Sequence, residues 1–126
     1  MNKRIVCFLA VLGCLSASVV APVYAQEQKT ARAEIEQLLE RLEKSGCQFN
    51  RNGSWHTGAE AKQHLLSKLE YLEKKKQAQS SEQFIELAAT KSSMSGQAYQ
   101  VRCANKASMN SSLWLSTELA VLRQKK

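Results

Sequence analysis

The sequence predicts a mainly helical α+β domain, with about four helices and a small two-stranded antiparallel ribbon stapled by one disulfide. Three observations carry that prediction. Apolar residues recur at spacings of three, four and seven in several stretches, as amphipathic helices require. Two short segments, Cys47-Gln48-Phe49-Asn50 and Tyr99-Gln100-Val101-Arg102-Cys103, alternate apolar with polar in the manner of strands. Each of these segments carries a cysteine, so pairing the strands brings the two sulfurs together.

The chain has 126 residues and a formal net charge of +7, enough for one small domain and too few for two ordinary ones. Residues 1–25 read as a cleaved signal peptide. Lys3 and Arg4 precede an apolar stretch from Ile5 to Val20, and Val23-Tyr24-Ala25 supplies a cleavage site ending in a small residue. A membrane anchor is the competing reading. The apolar run is shorter than the roughly 20 residues a spanning helix needs, and Pro22 interrupts its end. A lipoprotein with a lipidated Cys14 is a further alternative, but it strands a second apolar run after that cysteine.

Cleavage after Ala25 leaves residues 26–126 as a single globular domain, lowers the net charge to about +5 and removes Cys7 and Cys14. Cys47 and Cys103 remain. In an oxidising exported compartment they are expected to pair, two free buried thiols being the alternative. The bridge closes a loop of about 57 residues, worth about 4 kcal/mol in the chain-entropy model. The location predicted is the periplasm, with full secretion as the variant.

Along the mature chain, Gln26 to Thr30 reads as a polar, frayed lead-in. Ile35, Leu38, Leu39 and Leu42 form one stripe of a first helix from Ala31 to Ser45, and Gly46 ends it. Glu40 and Lys44 support its wet face in the favourable order, Arg32 and Glu36 in the weaker one. Asn52-Gly53 marks a turn after the first strand. Thr57 and Glu60 make a capping box for a second helix starting at Gly58, striped by Ala61, Leu65, Leu69 and Leu72 and running to about Lys76. Its last residues, Lys74, Lys75 and Lys76, suit the negative end of the helix dipole.

Ser80 with Gln83, or Ser81, caps a third helix carrying Phe84, Ile85, Leu87, Ala88 and Ala89. Apolar on more than one side, it is expected to be the most buried of the set. The segment Ser92 to Gly96 (SSMSG) breaks it. An antiparallel register then sets Cys47 opposite Cys103, Phe49 opposite Val101 and Arg51 opposite Tyr99. A fourth helix from Ser111 to Arg123 presents Leu115, Leu119 and Leu122. The sequence shows no internal repeat and no low-complexity linker.

The run RNGSWHTGAEAKQHLLSKL from Arg51 to Leu69 resembles the signature of a YfeK-like family of small exported bacterial proteins. The segment FIELAATKSSMSGQAYQV (Phe84 to Val101) and the terminal Trp114, Leu115, Leu119 and Arg123 are similar to the same family. That family is catalogued as a domain of unknown function. The resemblance implies an exported single domain and carries over no active site.

No catalytic constellation emerges from the residues. Ser92, Ser93 and Ser95 lie in neither a G-x-S-x-G elbow nor an S-x-x-K motif, and the chain has no Asp to orient a histidine. These serines are expected to satisfy backbone groups where the third helix ends. His56 and His64 lack a third metal donor once the cysteines pair, so neither a metal nor a cofactor is expected. His64 reads as a partly buried, hydrogen-bonded side chain, and His56 as an imidazole kept neutral beside a helix start. The mixture of Lys and Glu along the helices is a solvated face and gives no nucleic-acid signature. The Lys74 to Lys76 cluster is a candidate contact for an anionic membrane or cell-wall polymer, and one cluster of three supports that reading only slightly.

What remains is a group of polar, basic and aromatic residues around one turn: Arg51, Asn52, Trp55, His56, His64, Lys68, Ser93, Ser95 and Tyr99. If the ribbon forms as drawn, they offer the donors and positive charge that a carboxylate, phosphate or acidic loop needs. The alternative is a structural cluster that holds the turn. The expected function is a non-catalytic binding or accessory domain for an anionic ligand or acidic protein partner. A second class is an inhibitor of an envelope or cell-wall enzyme, using SSMSG or RNGSW as the inserted loop. A third is hydrolysis of cell-wall material through Ser95.

Overall fold

The computed structural model describes residues 23–125. Most of the expected signal peptide, with Cys14, lies outside them. Four helices, α1 (Val23–Lys44), α2 (Gly58–Lys74), α3 (Ser81–Ala88) and α4 (Ser111–Gln124), pack together, and α2 and α4 lie against a small antiparallel sheet. The strands are β1 (Gln48–Arg51), β2 (Ser54–His56), β3 (Gln100–Arg102) and β4 (Met109–Asn110), in spatial order β2-β1-β3-β4. No described helix is long and apolar enough to cross a membrane.

The long central element is α1. It packs most extensively on α2 and also touches α3 and α4, and Ile35, Leu38, Leu39 and Leu42 are fully buried. Each such side chain contributes roughly 1.5–3 kcal/mol of apolar burial. Helix α1 runs through Gln26 to Thr30, where an irregular lead-in was expected. Neither Gly nor Pro interrupts Val23 to Lys44, and Gln, Glu, Lys and Ala are good helix formers. The first two helices are antiparallel, and the order of two ion pairs along them shows it. Arg32 in the middle of α1 holds Glu73 at the end of α2 (2.6 Å), and Glu43 at the end of α1 holds Lys62 near the start of α2 (2.6 Å).

The capping box at the start of α2 forms as its sequence predicts. The Glu60 backbone N–H donates to Thr57 Oγ1 (3.2 Å), and the Thr57 N–H donates to Glu60 Oε2 (2.8 Å). Ala61, Leu65, Leu69 and Leu72 are buried against α1 and the sheet. Lys75 caps the helix, so it stops slightly before Lys76. Ser80 caps α3 by accepting the Gln83 N–H (3.1 Å). Helix α3 has the largest buried share of the four among the described residues, as its apolar content predicts: Ser81, Phe84, Ile85 and Ala88 are buried out of eight. Packed against α1, α2 and α4, it leaves Leu87 48% exposed on its outer side.

The expected ribbon is present within a larger sheet. Strands β1 and β3 pair with Gln48 opposite Arg102, Phe49 opposite Val101 and Asn50 opposite Gln100, the register anticipated from the cysteines. Cys47 and Cys103 are disulfide-bonded with Cα atoms 4.2 Å apart. Two edge strands extend the pair. Asn52 (φ 52°) and Gly53 (φ 84°) form a two-residue hairpin that folds Ser54–His56 back on β1, the twist-compatible turn for a tight hairpin. On the other edge, β4 pairs with β3 and leads directly into α4. Phe49, Tyr99 and Val101 face the helices and are buried, whereas Gln48, Gln100 and Arg102 face solvent.

Candidate functional site

Strand alternation and helix periodicity together create one polar cluster between β1 and α2. Arg51 lies two residues beyond the buried Phe49 and so projects from the same, helix-covered face of β1. His64 and Lys68 are four residues apart on α2, one turn above the other on one side of that helix. Tyr99, just before β3 and 2% exposed, packs its ring between them and Phe49. Its ring centroid is 5.6 Å from that of Phe49 and 6.1 Å from the His64 imidazole, which meets it edge-on.

Hydrogen bonds link the four polar groups. Arg51 Nη1 lies 2.5 Å from His64 Nδ1, His64 Nε2 lies 3.3 Å from the Tyr99 hydroxyl, and Lys68 Nζ donates to the same hydroxyl at 3.4 Å. Lys68 Nζ is also 5.1 Å from the Tyr99 ring centroid, within cation–π range. A cavity of about 270 Å³ opens beside this cluster, lined by Phe49, Arg51, His56, Glu60, Ala61 and His64.

The electrostatics follow from burial and like charge. Burial first, then the Arg51, Lys68 and His56 charges, push the His64 imidazole down to about 4 from its ordinary 6.5. The ring is therefore neutral near pH 7. Burial and then Arg51 lower the Lys68 ammonium, and burial raises the Tyr99 phenol against an opposing pull from Arg51. Among the described residues neither Arg51 nor Lys68 forms an ion pair. The acid that lines the cavity is Glu60, whose carboxylate is held by the Thr57 backbone N–H and hydroxyl, which keep it below the usual range. Glu60 also lies 3.8 Å from His56 Nδ1.

Of the residues singled out by sequence, Arg51, His64, Lys68 and Tyr99 form the cluster and His56 lines the cavity. Asn52 and Ser95 bond each other instead: Ser95 Oγ donates to Asn52 Oδ1 at 2.6 Å, fastening the SSMSG loop to the hairpin turn. Ser93 is exposed and does not line the cavity. Trp55 is on the opposite, solvent-facing side of the sheet, stacked on the Arg102 guanidinium 4.1 Å from its centroid. The alternation of β2 places it there, since its neighbour His56 points inward. Sequence reading missed Glu60 as a wall of the cavity. Its capping role fixes its place one turn before His64, and that i, i+4 spacing was the available signal. Among the described residues no three His, Cys, Asp or Glu side chains group as metal ligands.

Fold and site define a small disulfide-stapled α+β domain with a cavity walled by Arg51, two histidines and Glu60 at the junction of a hairpin and a helix. The chain belongs to DUF5329, a family of unknown function that matches residues 29–123. No curated protein and no solved structure matches it.

Proposed function

We propose that this protein is a non-catalytic binding or accessory domain of the periplasm, close to the YfeK-like exported proteins, that takes an anionic ligand or an acidic partner surface at the Arg51–His64–Lys68 cluster. The observation that carries the reading is a surplus of donors. Arginine and lysine only donate, and the hydroxyl of Tyr99 already receives two bonds. Arg51, which forms no ion pair among the described residues, lines a cavity whose one carboxylate, Glu60, is engaged at its own helix cap. Lys68, likewise without an ion pair there, sits one turn beyond His64 on the Tyr99 hydroxyl. Oxygen atoms of a carboxylate or phosphate supply the missing acceptors, and charge-assisted bonds to them are the strong kind. The disulfide and the signal-like start of the sequence support export. The test is titration with inorganic phosphate and with acetate. Binding that Arg51→Ala and Lys68→Ala weaken supports the assignment; binding untouched by either places the site elsewhere.

The inhibitor reading has one observation of its own. Met94 at the tip of the SSMSG loop is 97% exposed, on a loop pinned by Ser92 Oγ accepting the Met94 and Ser95 N–H groups (3.3 Å each). A rigid loop with an apolar tip suits insertion into an enzyme cleft. Capture from envelope extract followed by an enzyme assay distinguishes the two: Met94→Ser abolishes inhibition if the loop inserts, and leaves anion binding intact.

A further inference from the structure

The direction of each hydrogen bond in the cluster is fixed by its chemistry. Arg51 has no acceptor, so across 2.5 Å it donates to His64 Nδ1. The neutral ring then carries its proton on Nε2 and donates it to the Tyr99 hydroxyl 3.3 Å away. Lys68 donates to the same oxygen. Both acceptor positions of that oxygen are filled, and the hydroxyl proton meets no acceptor among the described residues. In this arrangement His64 is the one ring in the cavity wall that faces Arg51 as an acceptor.

We propose that an oxyanion bound in this cavity takes over the Arg51 N–H now given to His64, and that His64 Nδ1 then takes a proton from solvent and donates it to the same anion. This rests on the anion-binding reading given above. Each binding event brings in one proton and breaks no covalent bond. His64 gains a positive charge, and the anion that arrived with it offsets that charge. Nε2 keeps its bond to Tyr99 throughout.

The surroundings explain why the proton waits for the ligand. Arg51 from β1, Lys68 from α2 and His56 from β2 face the ring with positive or potentially positive charge, and Tyr99 contributes a buried, neutral phenol. Glu60, one turn earlier on α2, is the acid of the cavity wall, and it is turned to Thr57. Without an anion an imidazolium here has cations on several sides and is poorly solvated, in line with its strongly lowered affinity for protons. With the anion in place the dominant neighbour is opposite in sign.

The experiment is calorimetric titration of the protein with sulfate, which does not itself titrate between pH 5.5 and 7.5. Two amine buffers of different ionisation enthalpy give the number of protons taken up. The expected result is uptake approaching one proton per sulfate at pH 5.5, with affinity falling about tenfold by pH 7.5. His64→Gln is expected to bind sulfate with no uptake and no pH dependence. Where that variant does not fold, the ¹⁵N shift of His64 Nδ1 in the unsubstituted protein reports the same event, moving to the protonated position on sulfate addition. Sulfate binding without proton uptake, or uptake that persists in His64→Gln, overturns the coupling and leaves the anion site standing. Absence of sulfate binding at every pH overturns the anion site and the coupling with it.

Discussion

Gly58 offers a prediction whose sign separates structure from propensity. It is the first residue of α2, and helix propensity alone favours Ala over Gly there. Replacement of Gly by Ala at a compatible position stabilises by about 0.4–1 kcal/mol through the unfolded state. Position 58 is not compatible. A Cβ there meets the carbonyl oxygen of Leu42 at 2.6 Å, Cα of Glu43 at 3.0 Å and the carbonyl oxygen of Glu43 at 3.1 Å. All three atoms are backbone of the last turn of α1, which cannot move aside as a side chain does. Overpacking of this kind costs about 1–3 kcal/mol, so Gly58→Ala is expected to lose about 1–2 kcal/mol net. In a domain of this size that lowers Tm by roughly 5–10 °C. Thermal unfolding by circular dichroism measures it. Gly46→Ala is the comparison, because its Cβ meets nothing within 4 Å and its cost comes from φ +70° alone, about 1 kcal/mol. A Gly58→Ala protein as stable as the original refutes the close approach of α1 and α2 described above.

Two further outcomes follow from the same structure. Replacing both Cys47 and Cys103 by Ser is expected to cost about 4 kcal/mol, seen as a lower urea midpoint, because the loop they close is long; a loss under 1 kcal/mol contradicts that role. The lowered His64 affinity for protons makes stability depend on pH. The unfolded chain takes up a proton near 6.5 and the folded one only near 4, so stability is complete above about 6.5 and falls between 6.5 and 4. Allowing for solvent screening of a partly exposed ring, this amounts to roughly 1–2 kcal/mol. His64→Gln flattens that part of the urea-midpoint profile; a profile unchanged by the substitution contradicts the assignment.

Local chemistry made much of this fold legible. Thr57 and Glu60 declare a helix start by spacing alone, Ile35 through Leu42 declare a buried face, and two cysteines on alternating segments fix a strand register. Strand β2 was hidden because Ser-Trp-His is too short to show a period, and β4 because Met109–Asn110 is shorter still. The high burial of α3 was legible in its apolar content, since Phe84, Ile85 and Ala88 all find neighbours. Only the exposure of its Leu87 runs against that content. The cluster was legible in composition and only partly in geometry. Arg51, His64, Lys68 and Tyr99 converge, as residues placed by helix and strand periodicity do, whereas Trp55 required the unseen β2 to show that it faces away.

The central claim is that Arg51 and Lys68 are a paired anion site rather than props for the hairpin. Titrating the oxidised protein with inorganic phosphate, while following backbone amide shifts, tests it most directly. The account predicts saturable shifts concentrated at Arg51, His56, His64 and Lys68, and at least a tenfold weaker affinity in both Arg51→Ala and Lys68→Ala with Tm nearly unchanged. Saturable shifts that centre elsewhere, or the two variants losing stability while phosphate binding persists, would contradict it.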